Sequence, residues 1–326
     1  MVDPKPGHGL GGEEALLEVI AERLRVELGP VPDGERWSGD DAAVVSSPSG
    51  QPLLITVDAL VEGVHADLAI GTPEDLGWKA FTVAVSDIGA MGGRPSHAVA
   101  SLGGPSGTAV LRIVAGMAAA ASQWGCPLVG GDLTEAPVVV VSTTVLGTLG
   151  PGPPAVTRSG ARPGDRLFVT GPLGASAAGL RVLRTAETES ATWIPADPES
   201  AALATAYRRP LARLAEGWAA RHAGATAMLD CSDGLSIDLH RLARASGVGL
   251  SVDEVPCAAG ATEAEALGGG EDYELIIATA HPDDLVAAFT AAGLREPIGI
   301  GECTADVERR ALGGGDLPLV GWQHDL

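Results

Sequence analysis

The chain has 326 residues, 45% of them hydrophobic and only 3% aromatic, and its formal net charge is −21. This length is enough for two domains of ordinary size. The negative charge argues against nucleic acid and anionic membranes as partners, since both require a basic surface. Residues 1–7 contain no apolar signal segment, and the longest apolar stretch, 138–149, is too short to span a bilayer. We therefore expect a cytoplasmic protein.

Apolar spacing in the first half predicts helices alternating with strands. The helices are expected at 13–28, 73–91 and 108–124, and the strands at 41–46, 53–58, 96–102, 127–131 and from 138 onward. The stretch 150–154 contains only glycine and proline, so it cannot be a helix or a central strand. It is either a domain linker or a long turn.

The second half repeats the same alternation. Strands are expected at 166–170, 226–230, 249–253, 273–279 and 297–301, helices at 175–185, 203–222, 236–246 and 282–292, and a surface loop at 186–200. Alternation of strands and helices in both halves predicts two α/β or α+β domains. We place them at 1–153 and 154–326.

Short acidic motifs set among glycines and apolar residues are the main functional signal. Five of these motifs contain the aspartates Asp40, Asp41, Asp58, Asp87, Asp132, Asp230 and Asp233, and a sixth spans 269–274. Burying a lone carboxylate is costly because desolvation disfavours its charge, whereas divalent cations stabilise a group of carboxylates. Hard oxygen ligands with room for water and phosphate are typical of magnesium. The pattern therefore predicts a magnesium-dependent enzyme that acts on a nucleotide phosphate.

Asp87 is the strongest single indication of a metal site among these residues. It falls near the C-terminal end of the predicted helix 73–91, where the helix dipole disfavours an anion and a metal ion would remove the penalty. The alternative is an aspartate that caps the next turn. Asp40 and Asp41 precede a strand and point to opposite faces of an extended backbone, so one of them can face a site. A plain turn is the alternative for this pair.

Two further segments combine glycine with carboxylates. Gly131 and Asp132 follow a short apolar strand, where glycine allows a phosphate to approach and the aspartate can hold a metal; an ordinary turn is the alternative. The segment 230–234 joins a strand to a helix, so that free N–H groups at the helix start face an anion while the carboxylates offer metal ligands. A simple N-cap at Ser232 or Asp233 is the alternative.

Single residues add weaker signals. His65 is suited to hydrogen-bond a substrate, although a lone histidine is more often structural, and Arg158 is either a phosphate contact or a surface salt-bridge residue. The sequence has no GxxxxGK[ST] phosphate loop, no HRD–DFG kinase set and no GxSxG motif. Phosphoryl transfer would therefore depend on metal ions for charge neutralisation and alignment.

Taken together, the motifs resemble the thiamine-monophosphate kinase family. It belongs to the superfamily of aminoimidazole ribonucleotide synthetase, selenophosphate synthetase and the hydrogenase maturation protein that forms thiocyanate. The matching segments follow the family's order at 39–45, 56–65, 79–93, 130–137, 157–174, 229–239 and 268–276. The VEGVH and GGEDYEL segments, at 61–65 and 269–275, favour the thiamine enzyme over its relatives.

The resemblance implies that Mg-ATP donates its γ-phosphate directly to thiamine monophosphate, giving thiamine diphosphate without a phosphoenzyme. It also implies an α+β, aminoimidazole ribonucleotide synthetase-like architecture. In that architecture an N-terminal domain dimerises through its β-sheet, a C-terminal α/β domain follows, and the active site lies near their junction.

The resemblance also assigns roles to individual residues. The implied magnesium ligands are Asp41, Thr56, Val57, Asp58, Asp87, Asp132, Asp230 and Asp233, of which Asp87, Asp132 and Asp230 form the catalytic set. The implied ATP contacts are Gly131, Asp132, Arg158 and Ser232. The implied contacts to thiamine monophosphate are His65, Glu271 and Trp322.

The chain departs from the family pattern at a few positions. Val57 stands where the family often has a hydroxyl residue, so a ligand there must be its backbone carbonyl, and the segments 66–68 and 321–326 also differ. These departures affect the details of the thiamine pocket. Two alternatives remain open: another ATP-using enzyme of the same superfamily, and a catalytically silent nucleotide-binding paralogue.

Overall fold

A computed structural model describes residues 13–104, 107–186 and 190–324 of the chain. The elements of the first half are α1 (Glu13–Leu28), β1 (Ala43–Ser46), β2 (Pro52–Val61), α2 (Pro73–Ala90), β3 (Arg94–Gly103), α3 (Gly107–Trp124), β4 (Leu128–Thr134) and β5 (Val140–Thr148). Residues 1–7, on which the argument against a signal peptide depends, lie outside the described residues.

The first five strands form one sheet in the order β1-β2-β5-β3-β4. Neighbours are antiparallel except for β3 and β4, which are parallel and are joined by the crossover helix α3. Side chains alternate along β2, so Leu54 and Leu60 pack in one core with α2 and α3. Val57 lies on the opposite face and is 62% exposed. This sheet therefore has one covered face and one face that carries exposed apolar side chains.

Two glycines allow α2 and α3 to pack closely. A Cβ on Gly77 of α2 would stand 2.0 Å from the carbonyl oxygen of Ile113 in α3. A Cβ on Gly116 of α3 would stand 1.9 Å from the carbonyl oxygen of Glu74. Both distances are far inside van der Waals contact, so glycine is required at both positions for this helix pair.

The second half is a larger sheet with helices on both faces. Its elements are β6 (Arg166–Val169), α4 (Ala175–Arg184), α5 (Pro198–Arg208), α6 (Leu214–His222), β7 (Ala225–Asp230), α7 (Leu235–Ser246), β8 (Gly249–Val252), α8 (Glu263–Gly268), β9 (Leu275–Thr279), α9 (Pro282–Ala291), β10 (Ile298–Thr304), β11 (Arg310–Leu312) and β12 (Gly315–Asp316). The strand order is β12-β11-β8-β10-β6-β9-β7, antiparallel except for β8 and β11.

Alternation along β7 and β9 sends side chains into two separate cores. Leu229 and Ile276 pack with α7 and α8, whereas Met228 and Ile277 pack with α6 and α9. These four side chains are 1% exposed or less, because helices cover both faces of the sheet. The second half is therefore a three-layer domain, and the predicted two-domain α+β architecture is confirmed. The exact boundary between residues 153 and 154 stays a prediction.

A buried arginine fixes the Gly/Pro stretch between the two domains. Arg221 of α6 is 1% exposed, and its guanidinium donates hydrogen bonds to the carbonyl oxygens of Leu149 at 2.6 Å, Pro153 at 2.8 Å and Pro154 at 3.1 Å. Prolines cannot donate backbone hydrogen bonds to a sheet, so this stretch leaves the sheet and its carbonyl groups are paired by the arginine instead.

The predicted single helix at 203–222 is wrong. The chain forms α5, which ends at Arg208, and α6, which begins at Leu214. Pro210 stands between them, and proline both lacks an N–H group and disfavours helical geometry in the residue before it. Helix α5 also begins at Pro198, inside the predicted loop 186–200, of which residues 187–189 lie outside the described residues.

The predicted strand 127–131 ends too early, because β4 continues to Thr134. Gly131 and Asp132 therefore lie within a strand rather than in the turn that follows one. Three short elements, α8, β11 and β12, were not predicted, since none is long enough to show a clear apolar period. None of the helices in the described ranges combines the length and the apolar character that a membrane span requires.

Replacing Arg221 with methionine tests its role in fixing the linker. We expect Arg221→Met to lower the free energy of unfolding by about 3 kcal/mol, because the linker carbonyls lose their donors inside the domain junction. Urea unfolding followed by tryptophan fluorescence measures the change, and the same substitution at the exposed Arg309 serves as the control. A loss as small as that of the control would show that the linker does not depend on Arg221.

Candidate active site

A cavity of about 980 Å³ opens at the junction of the two domains. Its walls come from α1, β2 and α2 on one side, and from the segments around the start of α7 and residues 269–273 on the other. Most of the site residues predicted from the sequence line this cavity: Asp41, Thr56, Val57, Asp58, His65, Asp87, Arg158, Asp230, Ser232, Asp233, Glu271 and Trp322.

Helix α2 links carboxylates of the two domains. Asp87 lies near the C-terminal end of this helix, as predicted, and accepts a hydrogen bond from the hydroxyl of Thr56 in β2. The neighbouring Ser86 donates a hydrogen bond to Asp230 at the end of β7. Successive helical residues point about 100° apart. The side chain of Ser86 therefore faces the second domain, whereas that of Asp87 faces the first domain.

Three carboxylates from separate parts of the chain converge here. Asp41, Asp87 and Asp230 each place one oxygen within 4.8 Å of the others. Asp41 is 8% exposed and Asp230 is 3% exposed. Within the described residues, Asp41 Oδ2 is buried and has no hydrogen-bond partner. An orphaned carboxylate oxygen in a set of hard oxygen donors fits a divalent cation such as magnesium.

Burial and mutual repulsion raise the pKa values of these carboxyl groups. Burial raises the pKa of Asp58 to about 6, and repulsion from Asp233 and Asp41 adds to the effect. Burial also raises the pKa values of Asp87 and Asp230 well above the usual aspartate value, with further contributions from neighbouring carboxylates. The cluster therefore favours either bound protons or a bound cation.

Two arginines offset part of the negative charge. The guanidinium of Arg158 donates to Asp41 Oδ1 from Nε at 3.1 Å and from Nη2 at 2.5 Å, and its backbone N–H donates to Asp40 at 2.6 Å. Arg241 of α7 donates to Asp233 Oδ2 at 2.5 Å. Arg158 is therefore paired inside the cavity rather than on the open surface, and its contact to a nucleotide stays a prediction. Arg241 was not found from the sequence, because no motif marks it.

The backbone just before α7 is held by a side chain of the helix itself. Asp238 Oδ2 accepts hydrogen bonds from the backbone N–H groups of Asp233 at 3.1 Å and Gly234 at 3.2 Å. Anion binding by the N–H groups of the helix's first turn, which begins at Leu235, stays a prediction. The N-cap is Gly234, without a side-chain cap, so the alternative N-cap at Ser232 or Asp233 is wrong.

The other end of the cavity is aromatic. The ring centroid of His324 lies 5.5 Å from that of His65 and 5.8 Å from that of Trp322. Burial lowers the pKa of His65 to about 4, and repulsion from His324 and Lys79 contributes, so the His65 ring is neutral at pH 7. Glu271 Oε2 and Trp322 Nε1 are buried without hydrogen-bond partners among the described residues. This end therefore offers one acceptor and one donor to a ligand.

The segment that carries Glu271 has a strained backbone. Glu271 has a φ of 59° and Tyr273 a φ of 53°, in the left-handed region that non-glycine residues rarely adopt. The N–H of Glu271 donates to the carbonyl oxygen of Ser232 at 2.7 Å, and that of Tyr273 donates to Cys231 at 3.0 Å. These bonds hold the strained segment against the segment that carries Asp230 and place both on the same cavity wall.

Helix α1 forms a wall that the sequence did not assign to the site. Its apolar cavity-lining residues are Leu17, Ile20, Ala21 and Leu24. Their spacing was recognisable as one apolar side of a helix, but spacing does not say where that side packs. An ion pair between Glu18 of α1 and Arg244 of α7 connects this helix to the second domain.

Gly131 and Asp132 do not line the cavity. Both are exposed on β4, the last strand of the first sheet, where Asp132 pairs with Ser101 of β3. A Cβ on Gly131 would stand 1.9 Å from the carbonyl oxygen of Ala100, so the close approach of β3 is one reason for glycine here. Within a single chain these two residues are apart from the carboxylate cluster, and their roles stay predictions.

Two known domain families match the two halves of the chain. The model of the AIR synthase related protein, N-terminal domain, matches residues 39–149, and that of the AIR synthase related protein, C-terminal domain, matches residues 162–312. The two matched ranges contain the two sheets described above and most of the cavity wall. The fold is therefore that of the AIR synthase related proteins.

Similarity to individual proteins identifies one family among the AIR synthase related proteins. Thiamine-monophosphate kinase from Corynebacterium glutamicum is 36% identical over 82% of this chain and 82% of that protein, and the one from Synechococcus elongatus is 33% identical over 90% and 89%. The solved structure of AaThiL complexed with AMPPCP and TMP is 33% identical, has a TM-score of 0.81 and covers 96% of this chain and 97% of that one. The chain belongs to the thiamine-monophosphate kinase family.

The carboxylate cluster makes a prediction about stability without metal. An aspartate whose pKa is raised on folding binds more protons in the folded than in the unfolded chain, so the free energy of unfolding falls as the pH rises. For Asp58 this fall spans pH 3.8 to about 6, and Asp87 and Asp230, whose pKa values are also raised, add to it. Urea unfolding in a chelator at several pH values measures the slope, which Asp87→Asn should reduce. Stability that increases with pH across this interval would contradict the account.

Proposed function

We propose that this protein phosphorylates thiamine monophosphate to thiamine diphosphate with ATP as the donor and several magnesium ions as cofactors. The observation that carries the proposal is a cavity that joins a cluster of carboxylates to a carboxylate oxygen and an indole N–H, neither of which has a partner among the described residues. Both reactants carry negatively charged phosphates, so their reaction needs bound cations between them. A cytoplasmic location remains a prediction.

The relatives support the choice of substrates. Their names identify thiamine-monophosphate kinases, and the solved relative AaThiL is complexed with AMPPCP and TMP. We interpret these compounds as an ATP analogue and thiamine monophosphate. The similarity extends over nearly the whole of both chains, so it includes both walls of the cavity.

In this proposal, the magnesium ligands are the carboxylates of Asp41, Asp58, Asp87, Asp230 and Asp233, the hydroxyl of Thr56 and the carbonyl of Val57. Bound magnesium would neutralise phosphate charge and align the reacting groups, lowering the barrier by several kcal/mol. Arg158 now pairs with Asp41. If Arg158 turned to a nucleotide phosphate, a metal ion held by Asp41 would supply the positive charge that Arg158 now provides there.

The remaining residues bind the two substrates. Arg158 and Ser232 contact the nucleotide, while His65, Glu271 and Trp322 contact thiamine monophosphate. The attacking oxygen belongs to a phosphate that is already ionised at neutral pH, so the reaction needs no strong general base. Transfer is direct and in line, without a phosphoenzyme.

The assay that tests the function measures thiamine diphosphate formed from thiamine monophosphate, ATP and magnesium. We expect magnesium-dependent product with an equal amount of ADP, and we expect Asp87→Asn to reduce turnover by at least about 1,000-fold because an essential ligand is lost. Asp165→Asn is the control, since Asp165 is as buried as the cluster but bonds Thr226 outside the cavity.

Each other outcome would change the proposal in a different way. ADP without thiamine diphosphate would retain the ATP site but require another acceptor, as in another enzyme of the superfamily. Nucleotide binding without turnover would indicate a silent paralogue. Near-normal turnover by Asp87→Asn would contradict the metal role of this residue.

The exposed face of the first sheet supports a homodimer. Val57 pairs with Thr144, which pairs with Val99, so these side chains share one face, on which Val57 is 62% and Val99 is 43% exposed. Asp132 pairs with Ser101, two residues beyond Val99, and therefore lies on this face too. We propose that two copies associate through this face and that Gly131 and Asp132 complete the site of the other subunit.

Mixing two inactive variants tests this arrangement. If Asp132 acts across the interface, a heterodimer of Asp87→Asn and Asp132→Asn subunits contains one site with both native aspartates. Random mixing should then restore about a quarter of the activity of the native protein. If Asp132 acts in its own subunit, no site is intact and activity does not return. Light scattering on each protein measures the oligomeric state, and a monomer would contradict the proposal.

A further inference from the structure

Lys79 is a buried cation beside the cavity to which neither the motifs nor the metal site assigns a role. It lies on α2 and is 2% exposed. Its Nζ is 2.5 Å from Glu271 Oε1, donates to the carbonyl oxygen of His65 at 3.1 Å, and lies 4.5 Å from the ring centroid of Tyr207. Three separate segments of the chain thus meet at one ammonium group.

The position of Lys79 on α2 relates it to the carboxylate cluster. Lys79, Val83 and Asp87 are spaced four residues apart, so they follow one side of the helix. Val83 and Asp87 line the cavity. Eight residues of helix correspond to about 12 Å. One rigid element therefore carries the proposed metal ligand Asp87 and, about two turns earlier, the lysine that binds the His65 and Glu271 segments.

The contacts of Lys79 cross the domain junction. His65 follows β2 of the first domain, whereas Glu271 precedes β9 of the second domain. Glu271 is also in the strained left-handed conformation, and its side chain is only 14% exposed. Lys79 binds one oxygen of this carboxylate. The other oxygen, Oε2, is buried without a partner among the described residues, and the residue lines the cavity.

We propose that Lys79 is a positioning residue for the phosphate acceptor. By holding Glu271 Oε1 and the carbonyl of His65, it fixes the second Glu271 oxygen and the His65 ring at a set distance from Asp87, the proposed metal ligand on the same helix. Lys79 is not part of the cavity wall, so it acts through these two residues rather than on the substrate. This inference rests on the proposed function, because it names thiamine monophosphate as the ligand of that end.

The first test is the steady-state kinetics of Lys79→Met. We expect the KM for thiamine monophosphate to rise about 30-fold, because a buried ion pair loses one partner and Glu271 reorients. The KM for Mg-ATP should change less than about 2-fold, since the metal ligands remain. Equal increases in both constants, or no increase for thiamine monophosphate, would overturn the inference.

A matched control separates positioning from general stability. Arg209→Met removes the ion pair between Arg209 Nε and Asp75 Oδ1, 2.5 Å apart, which also joins the second domain to α2 but lies outside the main cavity. We expect this control to leave both KM values unchanged. If the control raises the KM for thiamine monophosphate as much as Lys79→Met does, the effect is structural and the inference fails.

A double substitution tests the route of action. Lys79→Met in a Glu271→Gln background should raise the KM for thiamine monophosphate by less than about 3-fold, because the partner carboxylate is already gone. Multiplicative effects of the two changes would show that Lys79 does not act through Glu271. Lys79→Arg keeps the charge and should give an intermediate KM, which provides the test if Lys79→Met does not fold.

Thiamine diphosphate formation by the native protein shows whether a negative result contradicts the proposed function or only the role of Lys79. Absence of thiamine diphosphate from native protein with ATP and magnesium would overturn the proposed function and this inference with it. Native product formation together with an unchanged KM in Lys79→Met would overturn only the role of Lys79.

Discussion

The electrostatic cost of bringing Asp41, Asp87 and Asp230 together is the constraint on which the arrangement of the site depends. Their oxygens lie within 4.8 Å of one another, two of the three residues are buried, and burial raises the pKa values of Asp87 and Asp230. Such a cluster persists only with bound protons or compensating charge. Here Arg158 pairs with Asp41, whereas the hydroxyl groups of Thr56 and Ser86 donate hydrogen bonds to Asp87 and Asp230. A bound cation and the ion pair between Arg158 and Asp41 would therefore each reduce the repulsion among these carboxylates.

Helix α2 makes this cluster possible because it belongs to the packing of both domains. It packs against α3 and the first sheet, and its Ala90 lies in the core shared by α6 and α9. A Cβ on Gly217 of α6 would stand 2.0 Å from the carbonyl oxygen of Gly89, so the two domains approach to backbone contact here. Side chains on this helix are therefore placed precisely relative to both walls of the cavity, which is what in-line transfer between two bound phosphates requires.

Most residues of the site could be predicted from the sequence, but the hydrogen bonds between them could not. Asp87 and Asp230 were recognisable because a carboxylate beside apolar residues needs an explanation, and both lie in the cluster. The pairing of Asp238 with the two amides just before α7 was not predictable, since it depends on one side-chain rotamer. The position of α1 was not predictable either, because an apolar period does not identify its partner. Pro210 is a signal in the sequence against the single helix at 203–222, because proline disfavours helical geometry in the residue before it.

In the proposed function, Asp41, Asp87 and Asp230 jointly bind divalent cations, and these cations bind the phosphate groups of both substrates. The most direct measurement is anomalous diffraction from crystals grown with manganese, a nonhydrolysable ATP analogue and thiamine monophosphate. The account predicts anomalous peaks about 2 to 2.3 Å from carboxylate oxygens of all three aspartates, with phosphate oxygens on the same ions. Bound nucleotide without a peak at these carboxylates, and with Arg158 still paired to Asp41, would contradict it.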